Sequence, residues 1–190
     1  GTLFRFSQTK FHLYCQERHL PRLADSAFGF DVQLEDITDA YAALALQGPT
    51  SAAILRDAGF DAVSALKPFD MAEFPHDGAT ITISRTGFTG DLGYELFVDN
   101  AHALALWDRL WQAGQSIGIR AIGSNALDVA RIEAGFIVAN GDFVTADLAL
   151  RADRMRRPDE IGLGWMVDFD KPHFNGKSAI RRARDKGENK

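Results

Sequence analysis

The segment Arg85-Thr86-Gly87-Phe88-Thr89-Gly90-Asp91-Leu92-Gly93-Tyr94-Glu95-Leu96 holds the residues of this chain best suited to chemistry. Its three glycines let the backbone turn through positive φ and let another group approach closely. The loop then enters a strand in which Tyr94, Leu96 and Val98 share one face while Glu95 shares the other with Phe97. An ionised carboxylate beside an aromatic ring, inside a strand, is costly unless something pairs with it. One pairing is an Arg, or solvent at a strand edge. The other is a ligand with two parallel N–H donors, because a carboxylate accepts both at once.

Other patterns carry less. Gly87, Gly90 and Gly93 are spaced by two residues, not as the Gly-x-Gly that opens a helix in a dinucleotide fingerprint. Gly114-Gln115-Ser116-Ile117-Gly118 matches a nucleophile elbow by letter, but it follows a helix rather than a strand and reads as a helix-ending loop. His12, His19, His76, His102 and His173 show no metal-ligand spacing, so no metal is expected. Cys15, the only cysteine, excludes a disulfide framework and a multi-Cys zinc site, and in an apolar strand it reads as inert. No residue here stands out as a general base, and the catalytic group is left unassigned.

The 190 residues include 21 Lys+Arg against 26 Asp+Glu, a net charge of −5, with 46% apolar residues. That is ordinary globular composition. The acidic balance excludes a generic nucleic-acid-binding face. No apolar run approaches the roughly 20 residues of a membrane span. The expectation is a cytoplasmic protein without nucleic-acid or membrane partners. The chain opens on Gly1 with strand-like alternation from its first residues, and reads as an excerpt of a longer protein.

Around the loop, residues 2–6 and 11–15 predict a hairpin, 22–28 a helix ending at Gly29, and 31–37 a strand. The run 42–46 predicts a buried strand, and Thr50 an N-cap for a helix over 52–58. A short helix over 61–66 closes at Pro68. Strict alternation over 79–85 predicts a strand pairing with 94–98. Leu104, Trp107, Leu110 and Trp111 form one apolar stripe of a helix over 101–113. A further helix is expected over 124–134, capped by Ser124 or Asn125, then a strand over 162–169 and an amphipathic helix over 176–186. Strands and helices intersperse without a βαβ period, which gives an α+β class.

Four motifs in order resemble those of the folate-binding aminomethyltransferase family, which includes the glycine cleavage T-protein. They are Ala45-Leu46-Gln47-Gly48-Pro49, the segment from Arg85 to Glu95, Ala126-Leu127-Asp128-Val129-Ala130-Arg131-Ile132-Glu133-Ala134-Gly135, and Pro158-x-Glu160-x-Gly162-Leu163-Gly164-Trp165. The resemblance implies two small mixed subdomains without the family's C-terminal barrel, divided as a folate-binding core over 1–150 and the remainder of the second subdomain over 151–190. It implies tetrahydrofolate as cofactor and transfer of a one-carbon unit to it from an amine or methyl donor. The pterin of tetrahydrofolate presents a ring N–H and an exocyclic amine, the two-donor edge a carboxylate recognises. The family's pterin-reading Glu falls on Glu95, and its neighbouring aromatic on Phe88. Tyr94 is either a further wall or core.

Departures from the family matter. Leu127 stands where the T-protein has a folate-contacting Arg, so Ala126-Leu127-Asp128 is more similar to the dehydrogenase-associated and tetrahydrofolate-dependent demethylase branches. A partner dehydrogenase is implied for the former, and lipoyl-protein chemistry only for the T-protein branch. The family's catalytic Asp falls at, or just before, Gly1. Asp128 and Arg131, at i and i+3, read as a helix ion pair. The basic residues of 151–157 read as a solvated turn or as a contact for folate's glutamate tail. The alternative to an enzyme is a non-catalytic folate-binding or assembly module of the same fold.

Overall fold

A computed structural model describes residues 1–16, 19–146 and 148–187. The chain divides into two compact units, Gly1–Phe136 and Ile137–Lys190. Helices and antiparallel strands intersperse as an α+β fold, and the described residues form no barrel.

The first unit holds two sheets. β1 (Thr2–Arg5) and β2 (Phe11–Tyr14) make the expected antiparallel hairpin. The second sheet runs in the order β3 (Tyr41–Gln47), β6 (Gly93–Asp99), β5 (Ala79–Ser84) and β4 (Met71–His76), every pair antiparallel. The strands β3, β5 and β6 follow the sequence expectation. β4 does not, because Pro75 and Glu73 interrupt its apolar pattern. As an edge strand it tolerates the proline, and the Asp77-Gly78 turn, both residues at positive φ, closes its hairpin with β5.

Register puts Leu46, Tyr94, Leu96, Val98, Ile81, Ile83 and Phe74 on one face, all buried. Ile54 and Leu55 of α2 (Ser51–Asp57), Phe60, Val63, Leu66, and Leu106 and Leu110 of α3 (Ala103–Gly114) complete that core. The expected α3 stripe is therefore corrected. Leu110 packs inward with Leu106, but Leu104 is 72% and Trp107 43% exposed. Trp107 and Trp111 instead stack on each other along the outer side, centroids 6.1 Å apart. The helix carries two apolar stripes, and only one can face a sheet.

The remaining helices of this unit are α1 (Leu20–Ala27) and α4 (Ser124–Glu133). Neither Thr50 nor Ser124 caps its helix through a side chain; the cap positions are Thr50 in helical geometry and Gly123. The strand expected over 31–37 is irregular. Phe30, Val32 and Leu34 alternate but stay exposed without a ladder partner, and the Asp36 carboxylate takes the Thr38 N–H (3.0 Å) into a 3-10 turn. Cys15 lies just past β2 and is exposed, not within a strand.

In the second unit, the strand expected over 162–169 is replaced by 3-10 turns at Pro158–Ile161 and Gly164–Met166. Gly162 turns at φ 78°, and the Leu163 N–H bonds back to the Pro158 carbonyl (2.7 Å), so local bonds take the place of a ladder. α5 (Lys177–Asp185) forms as expected, with Arg184 over the Phe169 ring at 4.3 Å. Among the described residues no helix is long and apolar enough to cross a membrane.

One buried titratable group should make the first unit acid-sensitive. His76, at the end of β4, has Nδ1 3.0 Å from Arg109 Nη1 and Nε2 3.7 Å from Asp77 Oδ2. Arginine only donates, so Nδ1 accepts and the imidazole is the neutral Nε2–H tautomer. Burial pushes its pKa below the ordinary value; Asp77 opposes this, and Arg109 and His102 add to it. The folded state thus resists a proton that the unfolded chain takes up below about 6.5. Stability is full above that pH and declines as the pH falls toward the folded-state value. Urea midpoints measured from pH 7.5 to 5 should fall, and the slope should flatten in His76→Gln; an equal slope in both would discard this assignment.

Candidate functional site

Glu95 lies in β6, an interior strand flanked by β3 and β5, on the face opposite the helices. Neither a strand edge nor an Arg explains it: among the described residues no cation pairs with this carboxylate. Its partner is a hydroxyl pair. Thr86 Oγ1 donates to Glu95 Oε2, and Ser84 Oγ lies 2.7 Å from Thr86 Oγ1. Ser84 faces Glu95 across the ladder, and the two hydroxyl residues are 0% and 9% exposed.

The same face is closed on one side by the N-terminal hairpin. Phe97, two residues beyond Glu95, packs against Tyr14 (centroids 4.0 Å) and Phe4 (5.6 Å). Glu95 itself remains half-buried. Tyr94 alternates onto the other face and is 2% exposed in the core, the second of its two expected places.

The loop between β5 and β6 is fastened at both ends by the first motif. Gln47 Nε2 donates to the Tyr94 carbonyl (3.2 Å) and the Thr86 carbonyl (3.4 Å), and Gln47 Oε1 accepts from Thr89 Oγ1 (3.4 Å). A Cβ at Gly87 or Gly93 would overlap that amide and push the Gln47 side chain aside. The Leu92 carbonyl takes the Gly48 N–H (2.7 Å) and Ser51 Oγ (3.4 Å).

The third motif fastens the loop's tip. Gly90, at φ 78°, leaves no room for a Cβ beside Ala134. Phe88 stacks on Phe136 at 5.2 Å and 13°. Arg131, 6% exposed, donates through Nε and Nη2 to Asp128 Oδ1, each 2.7 Å, and through Nη1 to the Phe136 carbonyl (3.2 Å). The helix pair expected from the i, i+3 spacing is thus present, and it also holds the segment that carries Phe136. Leu127 sits half-exposed on the same helix.

The sequence reading brought out Glu95 and Phe88 but not Ser84, Thr86 or Gln47. Gln47 had one signal, its place before Gly48-Pro49. In the second unit, Arg154 and Arg156 line a shallow cavity with Asp142 and Glu160, so its polar lining is of mixed sign. Arg157 pairs with Asp159 (3.4 Å) and Glu160 (3.7 Å). Among the described residues no group of His, Cys, Asp and Glu is placed to hold a metal ion.

What this loop-and-sheet arrangement resembles is specific. The family model for the GCVT N-terminal domain matches residues 1–171. An aminomethyltransferase from Halothermothrix orenii is 38% identical over 150 residues, covering 79% of this chain and 40% of that protein. A trimethylamine-oxide aldolase from Ruegeria pomeroyi is 34% identical, covering 97% of this chain and 24% of that protein. The crystal structure of the glycine cleavage system aminomethyltransferase T from Bartonella henselae aligns with TM-score 0.68 and 31% identity, over 87% of this chain and 42% of that one. The chain therefore spans less than half the length of the aminomethyltransferases it matches, 39% to 49%. Matched over 171 residues, it belongs to the GCVT N-terminal domain family.

Proposed function

We propose that this chain is the pterin-reading part of a tetrahydrofolate-dependent one-carbon transferase, with Glu95 accepting the two N–H donors of the pterin edge. The observation that carries this reading is a half-buried carboxylate on an interior strand that, among the described residues, pairs with no cation and is held by the Thr86 hydroxyl with Ser84 behind it. Such a group is costly without a ligand that donates to it. The aminopyrimidinone edge of the pterin fits, because two parallel donors meet the two oxygens of one carboxylate.

Phe88, backed by Phe136 and held by the glycine loop, is the aromatic surface assigned to the ring's neighbourhood. Tyr94 would contribute only from beneath, through the core. When bound, tetrahydrofolate supplies the nitrogens that accept a one-carbon unit. This chain's own part is positional, holding the acceptor against a donor carbon. The names of the two relatives above both concern carbon attached to nitrogen, so an amine-borne methyl or aminomethyl carbon is the donor class.

Calorimetric titration of the intact protein with 5-formyltetrahydrofolate, beside Glu95→Gln, tests the reading. The substitution should weaken binding by at least about tenfold, or ~1.4 kcal/mol. Equal affinity in both proteins would remove Glu95 from the site, and absence of binding by a folded wild type would remove folate. A second reading, a folate-binding module without turnover, is favoured by Leu127, which leaves no charge at its position on α4. Binding without methyl transfer from a panel of amine donors would select it.

A further inference from the structure

We infer that Thr86, oriented by Ser84, is the positioning residue that holds the Glu95 carboxylate in one rotation and thereby sets the site's selectivity for an amino-bearing ring edge. The inference rests on the reading of Glu95 as the ring reader and adds the group that governs how it reads.

Proton bookkeeping fixes the direction of the chain of hydroxyls. An ionised carboxylate only accepts, so the single proton of Thr86 goes to Glu95 Oε2. Thr86 Oγ1 must then accept in its 2.7 Å bond with Ser84, which makes Ser84 the donor there. The proton of Ser84 is thus committed to Thr86, and its longer approach to the Glu95 carbonyl, 3.4 Å, goes unused. Both hydroxyls are buried among β5, β6 and the start of the loop, where a lost donor is not replaced by bulk water.

Two consequences follow for a ligand. Of the roughly four acceptor positions on a carboxylate, Thr86 takes one on Oε2. One remains on that oxygen and two on Oε1, enough for a pair of parallel donors, one to each oxygen. Second, the bond from Thr86 fixes the carboxylate in one rotation, so a ring edge that lacks one of the two donors leaves a lone pair unmatched. Sites built to match a hydrogen-bonding group reject the analogue lacking it far more strongly than apolar sites reject a size change. Thr86 is thereby a selectivity residue as well as a brace, although it need not touch the ligand.

The test uses the intact protein with Thr86→Val, Thr86→Ser, Ser84→Ala and Glu95→Gln, each checked for folding by circular dichroism and melting. Affinity is measured for 5-formyltetrahydrofolate and for its 2-desamino-2-methyl analogue. Thr86→Val, equal in shape but without the donor, should weaken binding of the natural ring about tenfold and shrink the preference over the analogue. Thr86→Ser should restore both to near wild type, and Ser84→Ala should fall between. In a Glu95→Gln background, Thr86→Val should change little further, since the pair acts as one unit.

Wild-type affinity in Thr86→Val, with Glu95→Gln still weakened, would sink the positioning role and leave Glu95 as reader. Thr86→Ser as poor as Thr86→Val would show that the methyl, not the hydroxyl, matters, which also overturns it. Unchanged affinity in Glu95→Gln would bring down the underlying reading itself. Should Thr86→Val not fold, Ser84→Ala carries the decision: an unaltered preference for the amino-bearing ring would rule the relay out.

Discussion

Phe60→Ala is expected to lower the stability of the first unit by about 3–5 kcal/mol, the range for deleting a buried aromatic side chain. Phe60 is 2% exposed where α2, α3 and β4 meet. Its ring meets Phe74 edge-on at 5.9 Å and lies 6.2 Å from the His76 ring, and the Arg109 guanidinium sits 5.1 Å over it. Truncation therefore removes two ring contacts and a cation–π contact, besides opening a cavity. Against a typical total of about 5–15 kcal/mol, that is a large share. Phe60→Leu should lose less, because most of the volume stays filled. Chemical denaturation monitored by tryptophan fluorescence measures it, since Trp107 and Trp111 lie on α3 with Arg109. The same variant has a second signature. Water admitted beside His76 should bring its protonation back toward the ordinary range and weaken the acid-side decline. A midpoint within error of wild type would mean that Phe60 does not hold these elements together.

Which parts of this architecture were legible beforehand follows from what each residue pattern determines. The strands β3, β5 and β6 announce themselves through a continuous small-apolar run and through strict alternation, and the Glu95 carboxylate stands out because its neighbours on both sides are apolar. β4 stayed hidden because proline and glutamate in its interior are tolerated only at a sheet edge, and edge status is a tertiary fact. The segment 31–37 has the right alternation but nothing to pair with. The helix α3 misled for another reason. Leu106 with Leu110, and Leu104 with Trp107 and Trp111, are both good helical stripes, and periodicity alone does not say which meets the sheet.

The site was half legible for the same physical reason. Ser84 and Thr82 alternate with Ile81 and Ile83, which reads as a solvated face; in the fold both are buried, and a hairpin some eighty residues earlier in the chain packs on Phe97 of that face. Gln47 and Gly48 belong to one motif and the loop to another, and only folding brings Gln47 between Gly87 and Gly93. Three of the four motif segments converge on one loop. Their spacing along the chain is the trace of that convergence.

The hairpin itself supplies the second large effect. Phe97→Ala is expected to cost about 3–5 kcal/mol in the cohesion of the hairpin with the sheet. Two-stranded hairpins are marginal in water on their own. This one is anchored through Phe4 and Tyr14, whose rings meet Phe97 at 5.6 and 4.0 Å, contacts that contribute roughly 0.5–1.5 kcal/mol each beyond the area they bury. Without Phe97, amide exchange in Thr2–Arg5 and Phe11–Tyr14 should approach that of an open peptide, while β3, β5 and β6 keep their protection. Tyr14 reports independently. Burial, with Tyr41 beside it, pushes its hydroxyl up to about 12, and in Phe97→Ala it should titrate nearer 10, followed by NMR of labelled tyrosine. Protection of the hairpin amides and a Tyr14 titration both unchanged would remove Phe97 as the anchor and leave contacts such as that of His12 with Tyr41 to hold the hairpin. The loss reaches the site as well, because Phe97 shares its face with Glu95. Once the ring and the hairpin over it are gone, water competes for the carboxylate, and the preference for an amino-bearing ring edge should shrink alongside the lost protection.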